Sequence, residues 1–119
     1  MLGNAFAVSY HIPGTATGNS TFTFLPYKAC TLYHISATGS NANNATFTVW
    51  KNGSDTLLNK TNIDVGDSGT PAVADKDDFL NDEYPHLATG DTFTVVLDYD
   101  GSSGTAVQNF SIVITFLEG

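Results

Sequence analysis

Threonine alternates with large apolar residues along much of this chain. Thr21-Phe22-Thr23-Phe24, Thr46-Phe47-Thr48-Val49, Thr92-Phe93-Thr94-Val95 and Phe110-Ser111-Ile112-Val113-Ile114-Thr115-Phe116 all repeat with period two. A β-strand points successive side chains to opposite faces, so each segment has one apolar and one hydroxyl-lined face. No 3.6-residue periodicity is sustained. The pattern predicts an all-β fold.

Strands are predicted at about Ser20 to Leu25, stopped by Pro26, and at Ala29 to Ala37. Next come Ala45 to Lys51, Ser54 to Lys60, a short piece at Thr61 to Val65, Thr92 to Asp98, and about Ala106 to Leu117. Asn52-Gly53 is a strong hairpin signal, because a type I′ turn needs positive φ at both central residues. Ser40 to Asn44 is a polar loop, and Gly66 to Glu83 is loop-like, with one helical turn at most at Asp77 to Asn81. Residues 1–19 form an N-terminal arm in which Ala5 to Val8 can add an edge strand or lie on a neighbouring subunit. Residues 20–119 form the single domain. Strands at this spacing predict an antiparallel two-sheet β-sandwich, jelly-roll-like in arrangement.

The phase of the repeat assigns a core of Phe22, Phe24, Phe47, Val49, Phe93, Val95, Leu97, Phe110, Ile112, Ile114 and Phe116. Trp50, Val96, Val113 and Leu117 fall out of phase with it. In Ala29 to Ala37, Tyr33 and Ile35 compete with Leu32 for the core. Apolar residues gathered on an outer face mark an interface; a bulge that shifts register would instead turn Trp50 inward. The first alternative makes Tyr33, Trp50, Val96 and Val113 the candidate oligomer interface.

Composition narrows the partners. The chain has 119 residues, a net charge of −8 and 13% charged residues. It has no Arg, and its four Lys are scattered, which argues against nucleic acid and against an anionic membrane surface. The first residues lack the basic and long apolar stretches of a signal peptide, and no segment is long and apolar enough to cross a bilayer as a helix. The Asn-x-Ser/Thr sequons at Asn19, Asn44, Asn52, Asn59 and Asn109 follow from abundant Asn and Thr.

Candidate chemistry is sparse. The acidic stretch Asp75-Lys76-Asp77-Asp78 with Asp82 and Glu83 invites comparison with a calcium loop, but Leu80 and His86 stand where an EF-hand needs Gly and Glu. His11, His34 and His86 have no metal-ligand spacing. Cys30, the single cysteine, sits in an apolar strand and reads as an inert core thiol. No nucleophile-elbow or P-loop motif occurs. The expectation is a non-enzyme without cofactor or metal. Trp50, Tyr27, Tyr33, Tyr84 and Tyr99 are candidates for a sugar-stacking platform, and serve equally as ordinary sheet and interface residues.

Three stretches carry a resemblance: Phe24 to Leu32 with its Pro26-Tyr27-Lys28-Ala29 connection, Asn62 to Pro71, and Leu87 to Val95, followed by a Gly/Ser turn and a terminal apolar strand. Their order over residues 20–117 resembles small jelly-roll structural proteins of tailed bacteriophages, of the capsid decoration or head-fibre kind. The resemblance implies a virion protein on the capsid surface, with the major capsid protein as partner. The Gly90-Asp91 strand start is also similar to trimeric jelly rolls of the complement and tumour-necrosis-factor kind, which implies a homotrimer. The alternative expectation is a carbohydrate-binding domain of a phage fibre or bacterial adhesin.

Overall fold

The computed structural model describes residues 3–42, 44–67 and 69–119. Met1 and Leu2 of the expected arm, Asn43 of the polar loop and Ser68 of the Gly66 to Glu83 stretch lie outside them. The strands in chain order are β1 (Ala5–Thr15), β2 (Ser20–Phe24), β3 (Cys30–Ser40), β4 (Thr46–Lys51), β5 (Asp55–Thr56), β6 (Ile63–Asp64), β7 (Gly66–Asp67), β8 (Ala72–Ala74), β9 (His86–Leu87), β10 (Phe93–Asp98) and β11 (Gln108–Glu118). Two 3-10 turns, Lys76–Asp78 and Leu80–Asp82, stand where one helical turn was expected.

The first four strands alternate between two sheets. The first sheet runs β1-β11-β3, with β7, β8 and β9 all pairing the far edge of β3. The second runs β2-β10-β4, with β5 and β6 on the far edge of β4. The late strands β10 and β11 each insert between two early ones, which gives a jelly-roll-like antiparallel sandwich. The pairing of β3 with β7 is parallel.

The period-two phase places the core. Phe47, Val49, Phe93, Val95, Leu97, Phe110, Ile112, Ile114 and Phe116 are buried between the sheets. Phe22 and Phe24, on β2, are half-buried because among the described residues β2 has a neighbouring strand on its β10 side alone. At one end of the sandwich Phe24, Phe93 and Phe116 meet with ring centroids 5.2–5.5 Å apart, and Phe6 stacks on Phe116.

The segment expected as an arm holds β1. Its residues Ala5 to Ile12 pair in unbroken register with Leu117 to Phe110. Phe6, Val8, Tyr10 and Ile12 face the core, and Ala5, Ala7, Ser9 and His11 face out. The edge-strand option for Ala5 to Val8 is therefore the one the fold takes, extended to Thr15.

Two register shifts explain what periodicity left open. In β3, Thr115 pairs His34 while Phe116 pairs Leu32, so Tyr33 is an extra residue. This bulge lets Leu32 and Ile35 both enter the core and turns Tyr33 out. In β11, Asn109 is the extra residue, and its φ of 52° is the left-handed conformation that Asn tolerates. No shift occurs in β4, so Trp50 stays on the outer face, opposite Thr94 and Thr56.

The Asn52-Gly53 turn has the expected positive φ at both residues, 56° and 79°. The register differs from a two-residue hairpin: Lys51 pairs Asp55, leaving Ser54 in the loop as well. The strand beyond is shorter than expected, because Leu57 and Leu58 turn inward to the core after Thr56.

Candidate functional site

The fold divides the candidate interface residues between two surfaces. Tyr33 and Val113 are exposed on the outer face of the first sheet. Trp50 and Val96 are half-buried on the outer face of the second. The four candidate interface residues thus lie two on each side of the sandwich, so one contact face can include some of them. On the second sheet's outer face, Trp50 flanks a nearly buried Thr94, whose hydroxyl lies 3.0 Å from that of Thr23.

The five aromatic residues proposed as a platform are likewise dispersed. Tyr27 packs edge-on against Phe6 at 5.6 Å. Tyr99 packs against the core after β10. Only Tyr33 and Tyr84 come together, with rings stacked at 5.3 Å and 27°.

That pair forms the wall of a cleft. The bulge in β3 delivers Tyr33, and the segment between the second 3-10 turn and β9 delivers Tyr84. Tyr84 is held from behind by the buried Phe79, edge-on at 6.4 Å, and the Lys76 ammonium lies 5.7 Å from its ring centroid. Tyr33, His34, Asp75, Lys76, Asp77 and Tyr84 enclose about 270 Å³. The acidic loop is ordered by its own backbone: Asp75 Oδ1 accepts from the Asp77 N–H, and Asp78 Oδ2 accepts from the Asp75 N–H. These bonds satisfy the first turn of a 3-10 helix.

The cleft combines aromatic surface, carboxylates, an imidazole and an ammonium. Among the described residues no group of three or more His, Cys, Asp or Glu is placed to hold a metal ion. His11 instead meets Ser111, 2.7 Å from Nδ1 to Oγ, and His86 pairs with Thr31. Cys30 is fully buried, and burial pushes its thiol up, which disfavours the reactive thiolate. The second acidic turn is a capped strand end: Asp98 Oδ1 accepts from the N–H groups of Asp100, Gly101 and Ser102. Among the described residues no helix is long and apolar enough to cross a membrane.

The sequence offers Tyr33 and Tyr84 within a wider set of five aromatic residues, and does not show that these two alone meet or that the acidic loop joins them. The contact joins residues of β3 to a loop far along the chain, and no local pattern encodes it.

Fold and surfaces together define a small two-sheet, jelly-roll-like β-sandwich whose outer faces are rich in hydroxyls. No protein-family model matches the chain. No curated protein matches it either. Solved structures do share the architecture. A chain of the cyanophage Pam1 capsid asymmetric unit is 18% identical with a TM-score of 0.51, covering 99% of this chain and 87% of that one. The periplasmic g-type lysozyme inhibitor PliG of Salmonella Typhimurium is 14% identical with a TM-score of 0.44, covering 96% and 88%. The carbohydrate-binding module CBM36, in complex with calcium and xylotriose, is 18% identical with a TM-score of 0.37, covering 99% and 91%. At these identities the likeness to the Pam1 chain is one of fold, and the other two carry no argument.

Proposed function

We propose that this protein is a structural component of a phage particle that attaches to the outside of the capsid shell and reinforces it. Its partner on this reading is the major capsid protein, and it acts as a homo-oligomer. The observation that carries the reading is the fold likeness to a chain of a phage capsid asymmetric unit over 99% of the present chain. The surface supports it. Hydroxyl-bearing outer faces with isolated apolar side chains such as Val73 and Val113 suit broad, shallow contacts rather than a reaction. Several copies bound at equivalent shell sites gain apparent affinity by linkage, without further contacts.

Mass spectrometry of purified particles of the virus that encodes the chain is the test. The protein should be present in stoichiometric amount, and particles lacking it should lose their genome at lower temperature. Absence from particles, or unchanged heat resistance without it, would contradict the reading.

A second reading is favoured by one specific feature. The stacked Tyr33 and Tyr84, with Asp75, Asp77 and His34 beside them, offer a ring face and hydrogen-bonding groups in the combination that suits a sugar. Binding on a glycan array that disappears in Tyr84→Ala would establish it; an empty array would remove it.

A further inference from the structure

One lateral edge of the sandwich is left open. There β1 ends the first sheet and β2 ends the second, and among the described residues neither has a strand on its other side. Phe6, Val8, Tyr10 and Ile12 from β1, with Phe22 and Phe24 from β2, point between the sheets yet are only half-buried. Their counterparts one strand inward, Phe110, Ile112, Ile114 and Phe116 on β11 and Phe93, Val95 and Leu97 on β10, are fully buried. Tyr10 stacks on Phe22 at 4.5 Å, so aromatic surface from both sheets meets along this seam.

The backbone of β1 is also unused on that side. Asn4 O accepts from the Glu118 N–H, which sets the alternation of the antiparallel ladder. Phe6, Val8, Tyr10 and Ile12 then bond to β11, and Ala5, Ala7, Ser9 and His11 aim their N–H and C=O groups at the free edge. Such an edge is a template for another strand unless charge, proline or a bulge blunts it. Pro13 and the Gly14 bulge come only at its far end. The side chains at 5, 7, 9 and 11 are exposed, and three of them are small.

Charge identifies the occupant. From Gly3 to Tyr27 there is no Asp, Glu, Lys or Arg; the four lysines and twelve acidic residues all lie from Lys28 onward. Two copies carrying −8 each repel across most of their surface, and this seam is where they can meet without opposing like charges. The area suffices. Ala5 to Ile12 is about 27 Å long, and a seam of two sheets with their side chains is roughly 20 Å wide, so each copy covers about 550 Å². The sum, about 1,100 Å², passes the ~1,000 Å² expected of a specific interface.

We infer that the protein self-associates through the free edge of β1, which pairs antiparallel with β1 of a second copy so that the half-buried seam residues of both are covered. Such a contact is closed by a two-fold axis. It therefore differs from the trimer implied by resemblance, and it draws nothing from the capsid reading.

Sedimentation equilibrium of the full chain tests it, at concentrations up to roughly 100 μM, above the micromolar Kd that a small interface of this area supports. The expected mass is twice 12.6 kDa. Ala7→Pro removes an edge N–H that β11 does not use, and Ser9→Lys sets two like charges side by side in the pair. Each should weaken association at least about tenfold, with the circular dichroism of the monomer unchanged. Val113→Lys, on the outer face and away from the edge, should leave association as it is. A monomer throughout, a trimer, or a dimer lost in Val113→Lys but kept in Ser9→Lys would overturn the inference. Should Ala7→Pro fail to fold, the exposed Ser9→Lys decides alone.

Discussion

The two lateral edges of this sandwich are finished in different ways. On one side short strands and two 3-10 turns fold over the gap between the sheets. They bury Leu57, Leu58, Val65, Phe79 and Leu87 and carry most of the acidic residues outside. On the other side β1 and β2 end their sheets with no further strand among the described residues, and six apolar residues stay half-buried in a stretch without charged side chains. The closed side spends many residues of irregular chain on making a water-facing wall. The open side leaves the same task to something outside the monomer. A single chain can thus hold a completed surface and an incomplete one, and the incomplete one is where association is expected.

Truncating one aromatic residue on each side sharpens this contrast most. Phe79→Ala on the closed side should cost about 3–5 kcal/mol in denaturant unfolding, because a fully buried ring leaves a cavity. Phe6→Ala on the open side should cost less, roughly 2 kcal/mol in dilute solution, since part of its side chain already meets water. Equal costs would mean that the two sides are finished alike.

The glycines differ in the same sense. A Cβ on Gly66 would run into the backbone of Thr70 and Ala72, which the closing strands bring against it. Gly66→Ala should therefore destabilise by about 1–3 kcal/mol. Gly14, in the bulge that ends the free edge, has open space around it but a φ of 71°. Gly14→Ala should cost only about 1 kcal/mol, the backbone penalty. A reversed order, read from the two melting temperatures, would break the comparison.

Thr48 lies on β4, the strand next to the closed side. Its hydroxyl oxygen is buried and has no hydrogen-bond partner among the described residues. Thr48→Val removes that unpaired group at constant shape and should stabilise by about 1 kcal/mol. A loss of stability would show that the hydroxyl is in fact hydrogen-bonded.

The smallest effect concerns pH. Asp91 accepts from Asn52 Nδ2 at 3.0 Å and from the Ala88 N–H at 2.9 Å, tying the β4–β5 hairpin loop to the turn before β10. The Asn52 bond first, and the Ala88 bond second, hold its carboxyl below the usual value. A lowered folded value stabilises above the ordinary aspartate range and is lost as pH falls through the folded value. The melting temperature should therefore drop slightly more steeply from about pH 4 downward than in Asp91→Asn. Parallel curves would remove Asp91 from the account.

Much of this architecture was legible in the sequence. Period two located β2, β4, β10 and β11 and the face of each that enters the core, because a half-buried strand writes its pleat into the order of its residues. It failed at β3, where Leu32, Tyr33 and Ile35 are all large. A bulge settles that contest, and alternation contains no sign of it. It undervalued β1, whose Pro13, Gly14 and small outward residues look like loop although Phe6, Val8, Tyr10 and Ile12 keep strict phase. Phase set Trp50, Val96 and Val113 opposite the core residues of their strands, and all three lie on outer faces. Phase gives a residue's side within its own sheet, however, and cannot say which of two outer surfaces that side becomes. The Tyr33–Tyr84 cleft was hidden for a related reason: it exists only through the docking of a loop on a distant strand.

Amide hydrogen exchange along β1 addresses the difference between the two edges most directly. In dilute solution the amides of Ala5, Ala7, Ser9 and His11 should exchange fast, while those of Phe6, Val8, Tyr10 and Ile12, bonded to β11, exchange slowly. Raising the protein concentration should slow the first set and leave the amides of β8 and β9 unchanged. Fast exchange at Ala7 and Ser9 at every concentration would contradict the account, because the free edge would then be a finished surface like the other.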